Sequence, residues 1–220
     1  MTNTPINPVY LHIQTSDKDL IKFCSQLNPN KKPISINCIG QQQPQGLCYW
    51  NAEAYVRKYG GSVVYGWVFS VWPKSHIEAM HHAIYKDTNG ELFDVSPHLA
   101  GYDQPLQSTF LEDDSIAIDI QRIPKVPNRY YKLSNSVATN NFIRTYGNLL
   151  KIDAKMSELM YDSGYRAEGQ LAIAMHENFT PTPNIIALSA SKKYLDLLDS
   201  ISKQKVKLGA AINLLKSTKL

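Results

Sequence analysis

Cysteine is scarce in this chain. Cys24, Cys38 and Cys48 are its three thiols in 220 residues, an odd count with no Cys-x-x-Cys spacing. That excludes a fully paired disulfide framework and a zinc ribbon of standard spacing, and it favours a reducing, cytoplasmic compartment, with secretion by a non-standard signal left open. Met1 to Tyr10 has neither a basic nor an apolar signal region, so no secretory leader is expected. The longest nearly apolar run, Val63 to Trp72, is about half the roughly 20 residues that a spanning helix needs, so no membrane span is expected. Basic residues exceed acidic ones by only four and are scattered outside the tail around Lys203, Lys205 and Lys207. Without a basic stripe interleaved with aromatics, nucleic acid is not an expected partner. No internal repeat is visible, and no low-complexity tract beyond Gln41 to Gln43. What remains is an ordinary globular composition, 43% apolar and 19% charged, sufficient to bury a core.

The pattern along the chain predicts a short helix over Asp17 to Leu27, a brief strand at Ile34 to Ile36, and a loop over Gln41 to Gly46 whose Pro44 and Gly46 forbid a helix before Leu47. From Cys48 the apolar or small residues Ala52, Tyr55, Val56 and Tyr59 share one helical face, and Gly60 supplies the stop. Strands are expected at Ser62 to Val71, Glu78 to Lys86, Glu91 to Val95 and Ser115 to Ile123. Asp87-Thr88-Asn89-Gly90 reads as a hairpin with Gly90 left-handed. That register puts Ile84 opposite Asp94 and makes His82 the diagonal neighbour of Asp94. Beyond the Pro124 to Pro127 break, helices are expected at Ser136 to Leu150, Ala154 to Tyr161 and Ala167 to Met175. The Thr180 to Pro183 linker then leads into a long C-terminal helix with a packing stripe from Tyr194 to Leu215.

This arrangement singles out Cys48. Helix N-termini favour anions, and a thiolate among them; a neighbouring imidazole adds an ion pair or a general base. A carboxylate on the imidazole's second nitrogen fixes its tautomer. Cys48, His82 and Asp94 fit those three roles in chain order. A side-chain amide before the nucleophile completes an oxyanion hole with the Cys48 N–H, and Gln42 and Gln45 are both candidates for it. Cys24 and Cys38 read as structural. His81 points to the opposite sheet face from His82 and reads as a core or surface histidine, as do His12, His76, His98 and His176. Glu78 shares the His82 face and reads as a solvated strand-end glutamate. Trp50, Trp67 and Trp72 read as core or cleft wall. A zinc site built from Cys48 and His82 with His81, His76 or Cys38 lacks any ligand pair of standard spacing, so neither a metal nor another cofactor is expected.

Gln45-Gly-Leu-Cys48-Tyr-Trp50, His82-Ala-Ile84 and the following Asp94 resemble the papain-like cysteine peptidase superfamily. His82-Ala83 followed by a hairpin and Asp94-Val-Ser-Pro97 also resembles the transglutaminase-like core. The longer string Cys48-x-x-Asn51, Gly60-Gly61, Tyr65-Gly-Trp67, Glu78, His82-Ala83, Gly90 to Asp94 and Pro97 is similar to a family of bacterial and phage proteins of unassigned activity. The resemblance spans about residues 40 to 100. It implies a papain-like or transglutaminase-like α+β fold, with the nucleophile helix packed on a small antiparallel sheet and helices at the C-terminus. The expected organisation is an N-terminal segment (1–33), a catalytic core (34–125) and a helical C-terminal region (126–220). The expected activity is acyl transfer from an amide of a protein or peptide substrate: glutamine deamidation, transglutamination or peptide hydrolysis. The alternative is a protein-interaction module carrying a decayed or fortuitous triad. Oligomeric state is not legible.

Overall fold

A computed structural model describes residues 10–40, 42–97 and 107–218; the expectations that concern residues 1–9, Gln41 and His98 lie outside them. The chain runs α1 (Lys18–Leu27), β1 (Ile34–Cys38), α2 (Cys48–Tyr59), β2 (Ser62–Trp72), β3 (His76–Lys86), β4 (Leu92–Asp94), β5 (Gln107–Glu112), β6 (Arg129–Lys132), α3 (Val137–Asp162), α4 (Glu168–Ala174), α5 (Pro183–Ser189) and α6 (Lys192–Ser217). It is a mixed α+β architecture with a small sheet and C-terminal helices. No helix among the described residues is long and apolar enough to cross a membrane.

Strand order is β2-β5-β1-β4-β3-β6, and β2 also pairs with β3, so the first five strands close on themselves as a small barrel with β6 appended to β3. The sheet departs from the all-antiparallel expectation at one place, where β1 and β4 run parallel. Closure gives the strands two apolar faces. Ile36, Ile84 and Phe110 fill one, with Val64 and Leu92 beside them; each such fully buried side chain contributes about 1.5–3 kcal/mol. On the other face, α2 lays Tyr49, Trp50, Ala52 and Ala54 against Ala83, Tyr85 and Val95. There too α1, started by the Asp17 carboxylate accepting from the N–H groups of Asp19 and Leu20 at 2.9 Å each, buries Leu20, Phe23 and Cys24 against Trp67, Phe69 and Leu111. The C-terminal stripe packs as expected at its far end, where Leu208, Ile212 and Leu215 meet Trp72 and Phe142.

The β3–β4 hairpin has the predicted register. Lys86 pairs with Leu92 and Tyr85 with Phe93, and one further step places Asp94 beside Ile84. Gly90 takes φ +89°, a conformation costly for residues with a Cβ. The Asp87 carboxylate accepts from the N–H groups of Asn89 and Glu91 at 2.9 and 2.8 Å, which closes the turn.

Four sequence expectations are corrected. Ser115 to Ile123 is not a strand: Asp113 and Asp119 fold it into local turns by accepting from the N–H groups of Ser115 and Gln121, and its isoleucines pack on neighbouring cores without a ladder. β5 and β6 form ladders where none was expected, and β6 carries the sheet past residue 125. The two helices expected between Ser136 and Tyr161 are one, α3, capped by the Ser136 hydroxyl accepting from the Thr139 N–H at 3.1 Å. The linker at Thr180 to Pro183 leads first into the short α5, and Ser191 then caps α6.

Candidate functional site

β3 is where the site's geometry originates. One of its edges is paired throughout with β2. The other meets β6 over His76–Ala79 and β4 over Tyr85–Lys86, so among the described residues the interval Met80–Ala83 has no strand neighbour there. His82 lies in that interval. Alternation sends it to the Ile84 side, toward Asp94, while His81 goes to the opposite side.

The three expected residues come together. His82 Nε2 donates to Asp94 Oδ1 at 2.9 Å, with both side chains buried. The half-buried Cys48 thiol lies within interaction range of the same imidazole; with Nε2 engaged on Asp94, Nδ1 is the nitrogen left for sulfur. Asp94 is fixed by two further donors, the Ser108 hydroxyl on Oδ2 at 2.8 Å and the Ser96 N–H on Oδ1 at 3.0 Å. Burial disfavours both charges, yet each is held charged by the other. Burial alone would depress His82, but the negative charges of Asp94 and Cys48 and the hydrogen bonds from both lift it well above the usual histidine value. Asp94 is likewise held below the usual carboxylate value against its burial, by the His82 charge and by the hydrogen bonds from His82, Ser108 and Ser96. Both shifts favour the charged His82–Asp94 pair over its neutral form.

Cys48 is the first residue of α2, where Asn51 N–H closes the first helical bond to Leu47 O at 2.8 Å. Leu47 supplies no side-chain cap, so the first N–H groups of α2 are not spent on one and suit a developing oxyanion. Of the two glutamines, Gln45 sits exposed in the turn just before Leu47. Gln42 is not brought to the triad: it lines a pocket of about 570 Å³ with Ile39, Tyr55, Arg57, Tyr59 and His176, beside the C-terminal half of α2.

The remaining thiols behave as structural residues. Burial pushes Cys24 up to about 12 and Cys38 up to about 11. His81 is a core residue, 4% exposed, with Nδ1 on the Tyr49 hydroxyl at 2.9 Å and Nε2 unpartnered; burial lowers it to about 4. His76 is also buried, between the Tyr10 and Ser75 hydroxyls, and lowered by burial to about 4. His12 is half-buried and His176 exposed. Trp50, Trp67 and Trp72 are all core. Glu78 differs from its expected solvated state: it is buried and accepts from Asn128 and Tyr130 at 2.8 and 2.9 Å, because β6 and the segment before it cover that end of β3. No group of three or more His, Cys, Asp or Glu among the described residues is placed to hold a metal ion.

Sequence reasoning missed Ser108 and gave no role to Asn51. Ser108 stands on β5, a strand whose Gln-Ser-Thr start carries no strand signal. Asn51 had one: a polar residue a single turn after Cys48 that turns out to be fully buried. Comparison with known proteins assigns no relatives: no family model, no curated protein and no solved structure matches the chain significantly.

Proposed function

We propose that this protein is a cysteine-dependent amide hydrolase or acyltransferase acting on a protein or peptide, and that its barrel and α2 form a papain-like or transglutaminase-like core. The observation that carries the reading is the line Cys48–His82–Asp94: a thiol at a helix N-terminus, beside a buried histidine that is itself anchored on a buried carboxylate. In this reading the Cys48 thiolate attacks the amide carbonyl carbon, and the oxyanion is met by the first N–H groups of α2. As the C–N bond breaks, the leaving nitrogen takes the proton from His82, leaving a thioester on Cys48. Water or an amine then attacks the thioester, gives its proton to His82, and releases the acyl group as Cys48 returns to thiolate. Asp94 keeps the ring in place through both proton transfers without itself being protonated.

The test is incubation with a mixture of glutamine-containing peptides and a primary amine, followed by mass spectrometry of peptides and protein. Expected are an acyl adduct on Cys48 and one product class: deamidated, amine-linked or cleaved peptide. The absence of any product or adduct, or the same products from Cys48→Ala, overturns the proposal.

A further inference from the structure

We propose that Asn51 is a positioning residue of this site, clamping the loop that delivers Cys48 to the turn that follows Asp94; the inference rests on the triad reading above. Its side-chain amide is fully buried. Nδ2 donates to Pro44 O at 3.0 Å and to Ser96 Oγ at 3.3 Å. Ser96 in turn donates its N–H to Asp94 Oδ1, the same oxygen that holds His82. Asn51 thus joins the two arms of the site, nucleophile and carboxylate, through one NH2 group, and it does so from the first turn of the nucleophile helix.

Two independent observations mark this as positioning and not simple packing. The first is that Asn51 Oδ1 is buried and unpartnered. A buried acceptor without a donor is destabilising, so an apolar side chain would fill the space better; what Asn51 adds is the pair of bonds made by its nitrogen. The second is that the same two segments are pressed together again at Gly40, where a Cβ would stand 2.0 Å from Val95 C and 2.5 Å from Ser96 N. Ile39 N–H also bonds Asp94 O at 2.9 Å. The loop is therefore pinned to the Asp94–Ser96 turn at its start by backbone and near its end by Asn51. Removing the second pin lets Pro44 to Leu47 move relative to Asp94, and with them the Cys48 sulfur relative to His82.

The experiment is the pH–rate profile of Cys48 alkylation by iodoacetamide, with sites resolved by peptide mapping and the melting temperature of each protein recorded. Wild type is compared with Asn51→Ala, Asn51→Asp, Ser96→Ala and the Asn51→Ala/Ser96→Ala double variant. Asn51→Asp keeps the shape and, when ionised, loses both donors. Expected is a slowing of Cys48 at pH 6.5 by at least about fivefold in both Asn51 variants, the scale of a modest misplacement of a reacting group, with the profile's midpoint displaced to higher pH. Ser96→Ala retains the N–H bond to Asp94 and is expected to shift the midpoint the same way by less, and the double variant to fall no further than Asn51→Ala. Folded Asn51 variants with the wild-type rate and midpoint overturn the inference. Should neither Asn51 variant fold, Ser96→Ala decides, and an unchanged profile there overturns it equally. A wild-type protein in which Cys48 reacts no faster than Cys24 and Cys38 instead overturns the triad reading itself.

Discussion

Asp94→Asn isolates the charge of the carboxylate from its shape. The asparagine oxygen still accepts from His82 Nε2–H, and the Ser108 hydroxyl, which donates at 2.8 Å to Asp94, can turn to accept from the new amide. What disappears is the buried negative charge that, with Cys48, outweighs the burial of the imidazolium. A hydrogen bond to a charged group is worth about 1.5–3 kcal/mol, which is roughly one to two pH units of imidazolium stability. His82 then holds its proton less firmly and is a weaker cation beside Cys48, so alkylation at pH 6 falls by about ten- to a hundredfold. Stability follows the same pair. Asp94, lowered on folding, contributes stability above its unfolded value and loses it as pH falls through its folded one; His82, raised on folding, contributes below about 6.5 and loses it as pH rises through its folded value. The variant is therefore destabilised most between about pH 4 and 6.5, by about 2 kcal/mol or ~4–8 °C for a chain of this size, and the deficit shrinks at alkaline pH. Alkylation kinetics and thermal melts at pH 6 and pH 9 check both halves. A folded variant that alkylates at the wild-type rate at pH 6 refutes the reasoning and removes Asp94 from the site.

The adjacent histidines should separate cleanly: His82→Ala slows Cys48 alkylation at neutral pH by tenfold or more, whereas His81→Ala leaves it nearly unchanged and costs stability by removing the ring nitrogen that meets the Tyr49 hydroxyl, as rates and melts on both variants will show. His76 and His81 are both depressed to about 4 by burial, so the unfolded chain takes up protons before the folded one does. Stability should fall as pH drops from about 6.5 to 4, by as much as ~3 kcal/mol for each histidine, and His76→Phe should flatten the slope in denaturant titrations. Gly40→Ala forces a Cβ onto Val95; it should lower the melting temperature and slow Cys48 together, and a wild-type melt would show that the contact yields easily.

What could be read in the sequence was local. Proline and glycine before Cys48 and glycine after Tyr59 bracket α2, and Asp87 to Gly90 fixes a hairpin whose register carries His82 to Asp94. The period of two in β3 was enough to part His82 from His81. Long-range pairing was not legible. Gln107-Ser-Thr-Phe-Leu-Glu becomes a strand because β1 and β2 flank it, not because of any propensity of its own, and Ser108 reaches Asp94 only as a result. Glu78 looks solvated until β6, far along the chain, covers it. The isoleucines of 115–123 imitate a strand while the aspartates at 113 and 119 turn the backbone away from any partner. Gln42 sits at a plausible spacing from Cys48, but the loop carries it along α2 and away from the nucleophile.

The central claim is that Cys48 is an activated nucleophile, and intact-mass analysis with peptide mapping tests it most directly, after brief treatment with a cysteine-reactive electrophile at pH 6 to 7. Cys24 and Cys38 are buried thiols raised to about 12 and about 11, whereas Cys48 is half-exposed on a helix N-terminus beside His82. The expected result is rapid addition of one label, mapped to Cys48, with the other two sites unmodified. Equal labelling of all three, or preference for Cys24 or Cys38, contradicts it.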